Sequence, residues 1–386
     1  MTFDRLLRVR VSLFLLTLAT GIVGCRSSTP CSTIHQVREG LQYRLAHVDD
    51  LTPSAEQAAR RVVAGGKIYV TGAQPGFASE ATGRAGGLMA IGAPETVVNG
   101  DVVLAGYRDT PTEEDCRNLD PWRKLGAYVI AFAPNVTDYA HATITPREAD
   151  VDRSKNDSGN IDSICNLVSL WAWTGEFTSA CTRLGKMPVL YQSYGVPGGR
   201  ERGAKYASQV FHQDMQIAPV AAGELARQYV KAIDVSLQEL EQEESLNLAR
   251  AASWVSETSP NRTVFQAEGH IWPAQMENQK FKPAFASVLT VDGVPPAGML
   301  LVLHISYQQP PQTVIDRAMK GEFRLVYTSV RRGKHDDSGQ VVYINPHWPM
   351  PDNCVEVPGY DITILPASGV IQACIYSSIV KGKRER

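Results

Sequence analysis

Apolar residues fall along this chain in two rhythms. Short runs that are apolar at nearly every position, DVVLAG (101–106), AYVIAFAP (127–134) and GMLLVLHIS (298–306), read as strands buried on both faces. KIYVTG (67–72), RTVFQAEG (262–269) and EFRLVYTS (322–329) are shorter strands of the same kind. Between them the spacing is helical. TPSAEQAARRVVAGG (52–66) opens with Thr52 and Pro53 and stops at a Gly-Gly pair, the start and stop signals of a helix. TPTEEDCRNLDPWRKLG (110–126) reads as a helix ending at Gly126 and interrupted by Pro121, and 78–90 as a helix weakened by glycine. Longer apolar helices are predicted over 161–184 and 364–383, with a strand, MPVLYQ, at 187–192. Alternating strand and helix predicts parallel sheets with helices on both faces.

The order is used twice. Ile68 matches Val264, Val102 matches Leu300 and Val129 matches Leu325, at offsets of 196, 198 and 196 residues. Three strands at nearly one offset predict a duplicated unit. Between the copies, residues 218–258 are rich in Ala, Leu, Glu and Gln and predict one long linker helix. The expected organisation is a leader (1–24), a tether (25–50), a first α/β domain (51–217), the linker helix (218–258) and a second domain (259–386).

The first 25 residues change the picture. A positively charged start, the apolar run VSLFLLTLATGIV and then Gly24-Cys25 form a secretory leader. Ile22-Val23-Gly24-Cys25 resembles a bacterial lipobox, which implies a lipid on the Cys25 thiol, a membrane partner and an extracytoplasmic address in the cell envelope. Six further cysteines contain no CxxC pair, so neither a zinc ribbon nor a thioredoxin-type site is expected, and no disulfide pairing is assigned. The formal net charge is −2, which offers nucleic acid no global attraction. The eight histidines contain no HExxH, so no metal site is expected, and nothing calls for a cofactor. The last six residues, KGKRER, carry four positive charges and read as a solvated tail or a contact for lipid or polyanion.

DVVLAGYRDTPTEEDCRNLDPWRKLGAYVIAFAPN resembles the middle of a sugar isomerase (SIS) domain, with Gly126-Ala127, Val129-Ile130-Ala131 and Asn135 matching its GAxVIAxxxN strand. The likeness covers about residues 50–190 and 260–383. The doubled layout resembles the isomerase half of glucosamine-6-phosphate synthase. It implies two flavodoxin-like, doubly wound parallel-sheet domains joined by a long helix, with ligands at the carboxyl ends of the strands. The family's phosphate turn resembles SxSGxT. Here that turn reads Tyr107-Arg108-Asp109-Thr110-Pro111-Thr112. Thr112 takes the place of the motif's last residue, Arg108 adds a cation, and Asp109 repels phosphate. The second copy keeps one hydroxyl, Ser306. In the first ligand loop (72–79), Gln74 and Ser79 can donate to a sugar hydroxyl and Phe77 can stack on a ring. An uncharged or amino sugar suits these groups better than a phosphate does.

Glu268 beside His270, in the matching loop of the second copy, is the best acid/base pair for moving a proton between adjacent carbons. The related enzyme uses a lysine on a tail beyond its last helix, which this chain is expected to lack. Segment 191–206 has no counterpart in the family pattern. Its Pro197-Gly198-Gly199 turn, followed by Arg200, Arg202 and Lys205, suits an anion. The leading expectation is non-catalytic binding of a sugar or sugar derivative. The alternatives are an isomerase or lyase using Glu268 and His270, and a scaffold on a degenerate SIS fold. Two copies pairing within the chain remove the need for a homodimer and leave one open.

Overall fold

The computed structural model describes residues 31–135, 137–148, 158–266, 284–286, 297–334, 339–348 and 352–381. Two five-stranded parallel sheets carry the molecule. The first holds β1 (Ile68–Thr71), β2 (Ile91–Gly92), β3 (Val102–Gly106), β4 (Tyr128–Phe132) and β5 (Ala142–Ile144), in the spatial order β2-β1-β3-β4-β5. The second holds β6 (Thr263–Gln266), β7 (Ala284–Ala286), β8 (Leu301–Ile305), β9 (Arg324–Thr328) and β10 (Val341–Ile344), in the order β7-β6-β8-β9-β10. Counted within each copy, both orders are 2-1-3-4-5, the flavodoxin-like winding. At the centre of each sheet the first residues of the strands pair, Ile68 opposite Val102 and Thr263 opposite Leu301, so Ile68 answers to Thr263 and Val102 to Leu301, each one residue from its sequence match. The duplication read from offsets is thus a duplication of topology.

Each sheet buries both faces, as its continuous apolar runs require. Ile68, Val70, Val102, Leu104, Ile130 and Phe132 face the same core as Phe265, Leu301, Leu303, Ile305 and Val326 of the second sheet. Alternate residues point outward into two smaller cores. Val103, Ala105 and Val129 pack with Leu119 of α4 (Glu113–Lys124). Val302, Leu325 and Tyr327 pack with Val314 and Ile315 of α9 (Gln312–Met319).

The shared core is filled by helices. α5 (Ser158–Arg183) is buried along nearly its whole length, with Trp171, Trp173 and Phe177 at or near zero exposure. It tolerates Thr and Ser there because Thr174, Thr178 and Ser179 hydroxyls donate to carbonyls one turn back. α10 (Ser368–Val380) is buried at all thirteen positions.

The expected tether is largely a helix. α1 (Cys31–Ala46) buries Ile34, Val37 and Leu41 at helical spacing and packs against α5, α7 (Glu224–Glu243) and α10. Arg38 fixes it, donating to Asp234 at 2.9 Å and Glu241 at 3.0 Å. The linker is two helices, not one. α7 stops at Glu244 and α8 (Ser245–Glu257) begins at once. Asn247 donates to the Glu244 carboxylate at 2.8 Å, holding a negative charge at the positive end of α8.

Two further differences are local. The predicted helix over 78–90 shortens to α3 (Phe77–Ala81), because Gly83, Gly86 and Gly87 follow and Gly83 and Gly86 adopt positive φ. MPVLYQ joins neither sheet. It makes single antiparallel bridges, Leu190 to Leu88 and Pro188 to Phe211, while β5 takes the edge position in its sheet.

Candidate functional site

In this winding the natural ligand crevice opens where strand order reverses, beyond the carboxyl ends of β1 and β3. In the first copy that place is filled by the chain itself. The Gln74 N–H donates to the Gly106 carbonyl at 2.9 Å, laying the loop after β1 across the end of β3. Phe77, wholly buried, lies over Gly106, where any Cβ would overlap its ring. Gly106 is therefore the one residue type that fits. Phe77 packs on Phe132, centroids 5.3 Å apart, and so belongs to the core and cannot stack on a sugar.

Gln74 is 3% exposed and its amide is committed to α5. It donates to the Ser163 carbonyl at 3.0 Å and accepts from Asn166 at 2.8 Å, and Asn166 also donates to the Tyr107 carbonyl. The Ser79 hydroxyl is exposed and donates to the Gly76 carbonyl at 3.0 Å. Thr112 caps α4. Its hydroxyl accepts from the Asp115 N–H at 3.1 Å, and the Asp115 carboxylate accepts from the Thr112 N–H at 2.8 Å. Glu113, Glu114 and Asp115 crowd that first turn, so the helix end that would welcome a phosphate already carries three carboxylates. Arg108 turns to Asp109, donating at 2.8 Å.

The 191–206 segment is ordered. Residues Gly199–Tyr206 form α6, with Gly198 at positive φ before it. Arg202 lies between Tyr206 and Tyr360, 5.0 and 5.3 Å from the ring centroids, and pairs with Asp361. It is a structural clamp. Arg200 stays exposed, 5.1 Å over the Tyr194 ring. Ser306 is fully buried and its hydroxyl accepts from the Gln308 N–H at 3.3 Å. Cys25, Glu268 and His270 lie outside the described residues. Cys116, Cys181, Cys354 and Cys374 are free thiols.

One open cleft among the described residues lies between the copies. It has a volume of about 470 Å³ and is lined by Gly83 and Ala85, by Tyr191 to Gly195, and by Tyr307 and Asp352. Tyr307 directly follows Ser306 at the carboxyl end of β8, so the cleft is a crevice of the second copy, walled by loops of the first. The Tyr307 ring lies flat on Trp348, 5.8 Å between centroids and 9° from parallel, and burial pushes its phenol up to about 12. None of the described lining residues is Lys or Arg.

Below the cleft lies a buried charge cluster drawn from both copies. Arg84, 4% exposed, reaches Glu80 at 3.4 Å, Asp352 at 3.3 Å and the Ser368 hydroxyl at 3.1 Å. Asp352 accepts from the Ser368 N–H at 2.7 Å and so caps α10. Burial pushes the Glu80 carboxyl up to about 7, against the pull of Arg84. The backbone closes the same floor: Tyr191 N–H donates to Gly87, Gly86 N–H to Tyr191, and Leu365 N–H to Gly86. Leu365 sits at φ 62, a strained value for a branched side chain, held by this bonding.

Sequence reasoning missed Tyr191, Tyr307 and Asp352 as lining groups. Tyr191 lies within the segment singled out for its arginines. Tyr307 and Asp352 both come from the second copy and face Tyr191 only when the copies meet, so no local signal marks the three as one site.

No family model matches this sequence, and no curated protein matches it. Solved structures do. A protein of Salmonella typhimurium LT2, provisionally named as sugar binding, superposes with a TM-score of 0.51 at 9% identity over 90% of this chain and 98% of its own. A provisionally named phosphosugar isomerase of Clostridium difficile 630 gives 0.52 at 7% identity, over 93% of both chains. The C-terminal domain of glucosamine-fructose-6-phosphate aminotransferase from Francisella tularensis gives 0.49 at 8% identity, over 89% of this chain and 95% of its own. At these identities the likeness is one of fold: two SIS-like α/β units covering most of the chain.

Proposed function

We propose that the protein binds an unphosphorylated sugar or amino sugar, without turnover, in the cleft between its copies, and that it is lipid-anchored at Cys25 on the outer side of a bacterial membrane. One observation carries the ligand reading: the first copy's crevice is occupied by Phe77 and Gln74, while the cleft under the second copy is open and lined by three tyrosines with an amide and a hydroxyl. Flat aromatic faces suit the apolar side of a pyranose, and Gln192 and Ser193 suit its hydroxyls. The described lining residues offer a phosphate no cation, and the three acids at the start of α4 oppose one in the first copy.

A thermal-shift screen of neutral sugars, amino sugars and their phosphates tests this. Ligand at a hundredfold its Kd adds about 2.7 kcal/mol of stability. Neutral or amino sugars should shift the melting temperature and the Tyr307→Ala variant should lose that shift. A shift confined to sugar phosphates, or one unchanged in Tyr307→Ala, would remove the cleft from consideration. Turnover of the ligand, abolished by Glu268→Gln, would replace binding with catalysis. Lipid labelling that survives Cys25→Ser would remove the anchor.

A further inference from the structure

A second junction between the copies is built around one imidazole. In the second copy, β11 (Asn353–Val355) and β12 (Ile364–Pro366) form an antiparallel hairpin. Its base follows Asp352 at the cleft, and its loop, Glu356 to Thr363, lines an open space of about 450 Å³. The loop reaches the first copy with two side chains. Asp361 pairs with Arg202, and the Tyr360 phenol meets Arg202, Leu190 and His212.

A phenol oxygen has one proton to give and room to accept two. Arg202 Nη2 donates to the Tyr360 oxygen at 2.9 Å, and the Leu190 N–H donates to it as well, so both acceptor places are taken. Burial pushes the phenol up to about 12, which keeps its proton in place. That proton goes to His212 Nε2, 2.9 Å away. The imidazole is therefore neutral, with its own proton on Nδ1. Its side chain is wholly buried, and charged or titratable groups face it from each neighbouring element. Arg202 and Tyr206 stand on α6, Asp214 lies 3.5 Å from Nδ1 and is itself held by Lys205, and Tyr360 and Asp361 stand on the hairpin. Burial first, then Arg202, hold the ring below the ordinary imidazole range, against the pull of Asp214.

We propose that His212 is the pin of a proton-operated latch between the hairpin and the wall of the cleft: a proton on Nε2 makes that atom a donor facing an oxygen with no acceptor place left, and the hairpin tip must release Leu190 or Arg202. Tyr191 to Gly195, which follow Leu190 directly, are the cleft wall. The cleft is held in shape near neutrality and loosened in acid. Because folding lowers the ring's proton affinity, the latch contributes above pH 6.5 and is lost as pH falls through the lower folded value. As regulation of ligand binding this rests on the cleft being the ligand site, but the latch itself is measurable without a ligand.

The test uses the full chain with isotope-labelled histidine and no ligand. NMR follows protonation of the His212 ring, identified by its loss in His212→Gln or its displacement in Tyr360→Phe. Amide exchange follows the Leu190 N–H over the same pH series, corrected for the intrinsic rate. In the parent, Leu190 exchange should rise at least about tenfold as the ring gains its proton, with one shared midpoint. In His212→Gln the side-chain carbonyl takes the phenol proton at every pH, so exchange should stay slow throughout. In Tyr360→Phe it should be fast throughout. The proposal is overturned by a ring that titrates with no change at Leu190, by a ring that stays neutral until the whole protein unfolds, by the same rise in His212→Gln, or by slow exchange in Tyr360→Phe. If His212→Gln does not fold, the parent and Tyr360→Phe decide the matter between them. A sugar screen that finds no ligand at neutral pH removes the binding reading and leaves the exchange result to decide the latch.

Discussion

The two copies share a winding and the pairing of their central strands, and their described residues differ where those strands end. In the first, the strand-order reversal is sealed: Gly106 lets Phe77 lie flat on the end of β3, Gln74 is tied by Asn166, and α4 supplies its own anions. In the second, β8 ends at Ile305, and Tyr307 just beyond it opens onto the cleft. Among the described residues, the contrast at the equivalent strand ends is Gly106 against Ile305. A duplicated fold can thus keep one strand order while its strand ends diverge.

The largest effect should come from removing the plug. Phe77→Ala empties a fully buried site between Gly106 and Phe132 and should cost about 3–5 kcal/mol in denaturant unfolding. A loss below about 1 kcal/mol would mean that the crevice was never filled.

A second contrast is in protons. Glu80, in the first copy, has its carboxyl pushed up from 4.5 to about 7 by burial. It binds a proton more readily folded than unfolded, so its contribution is fully present below pH 4.5 and is lost as pH rises through 7. His304, in the second copy, is fully buried and pushed down from 6.5 to about 4, and its Nε2 lies 2.9 Å from the Gln308 carbonyl. Its contribution is present above pH 6.5 and lost as pH falls through 4. Each is worth up to about 3 kcal/mol across its window, and the two oppose each other between pH 4.5 and 6.5. Glu80→Gln should therefore make stability rise with pH in that range, and His304→Gln should make it fall. Two variants with parallel pH profiles in urea titrations would refute the opposition.

The smallest effect tests the acidic cap. Thr112→Ala removes the hydroxyl that accepts the Asp115 N–H and should cost about 1 kcal/mol. If it instead leaves stability unchanged, Asp115 alone holds the start of α4.

Most of the fold was legible because buried parallel strands are nearly unbroken apolar runs, and their repeat gave the duplication. β5 was missed because Ala142–Ile144 is too short to show a pattern. α1 was read as tether because only every third or fourth residue of it is apolar, and the helix Gly199–Tyr206 was hidden behind two glycines. The site was harder to read. Gln74 and Arg202 have the chemistry of ligand-binding groups, and nothing in their neighbours' identity reveals that Asn166 and Tyr360 already satisfy them, whereas Thr112 and Asp115, three apart, form a capping pattern that the sequence does show. The cleft is built from residues more than a hundred positions apart, which one strand-by-strand reading cannot bring together.

The placement of α1 also sets a timetable. Its apolar stripe, Ile34, Val37 and Leu41, is made early, yet its partners Asp234 and Glu241 lie 196 and 203 residues beyond Arg38. At a synthesis rate of about 5–20 residues per second, that separation is a wait of roughly 10–40 s. Arg38 therefore waits for its acids until α7 has been made, although α1 can already meet α5, and the shared core cannot close until the second copy has been made.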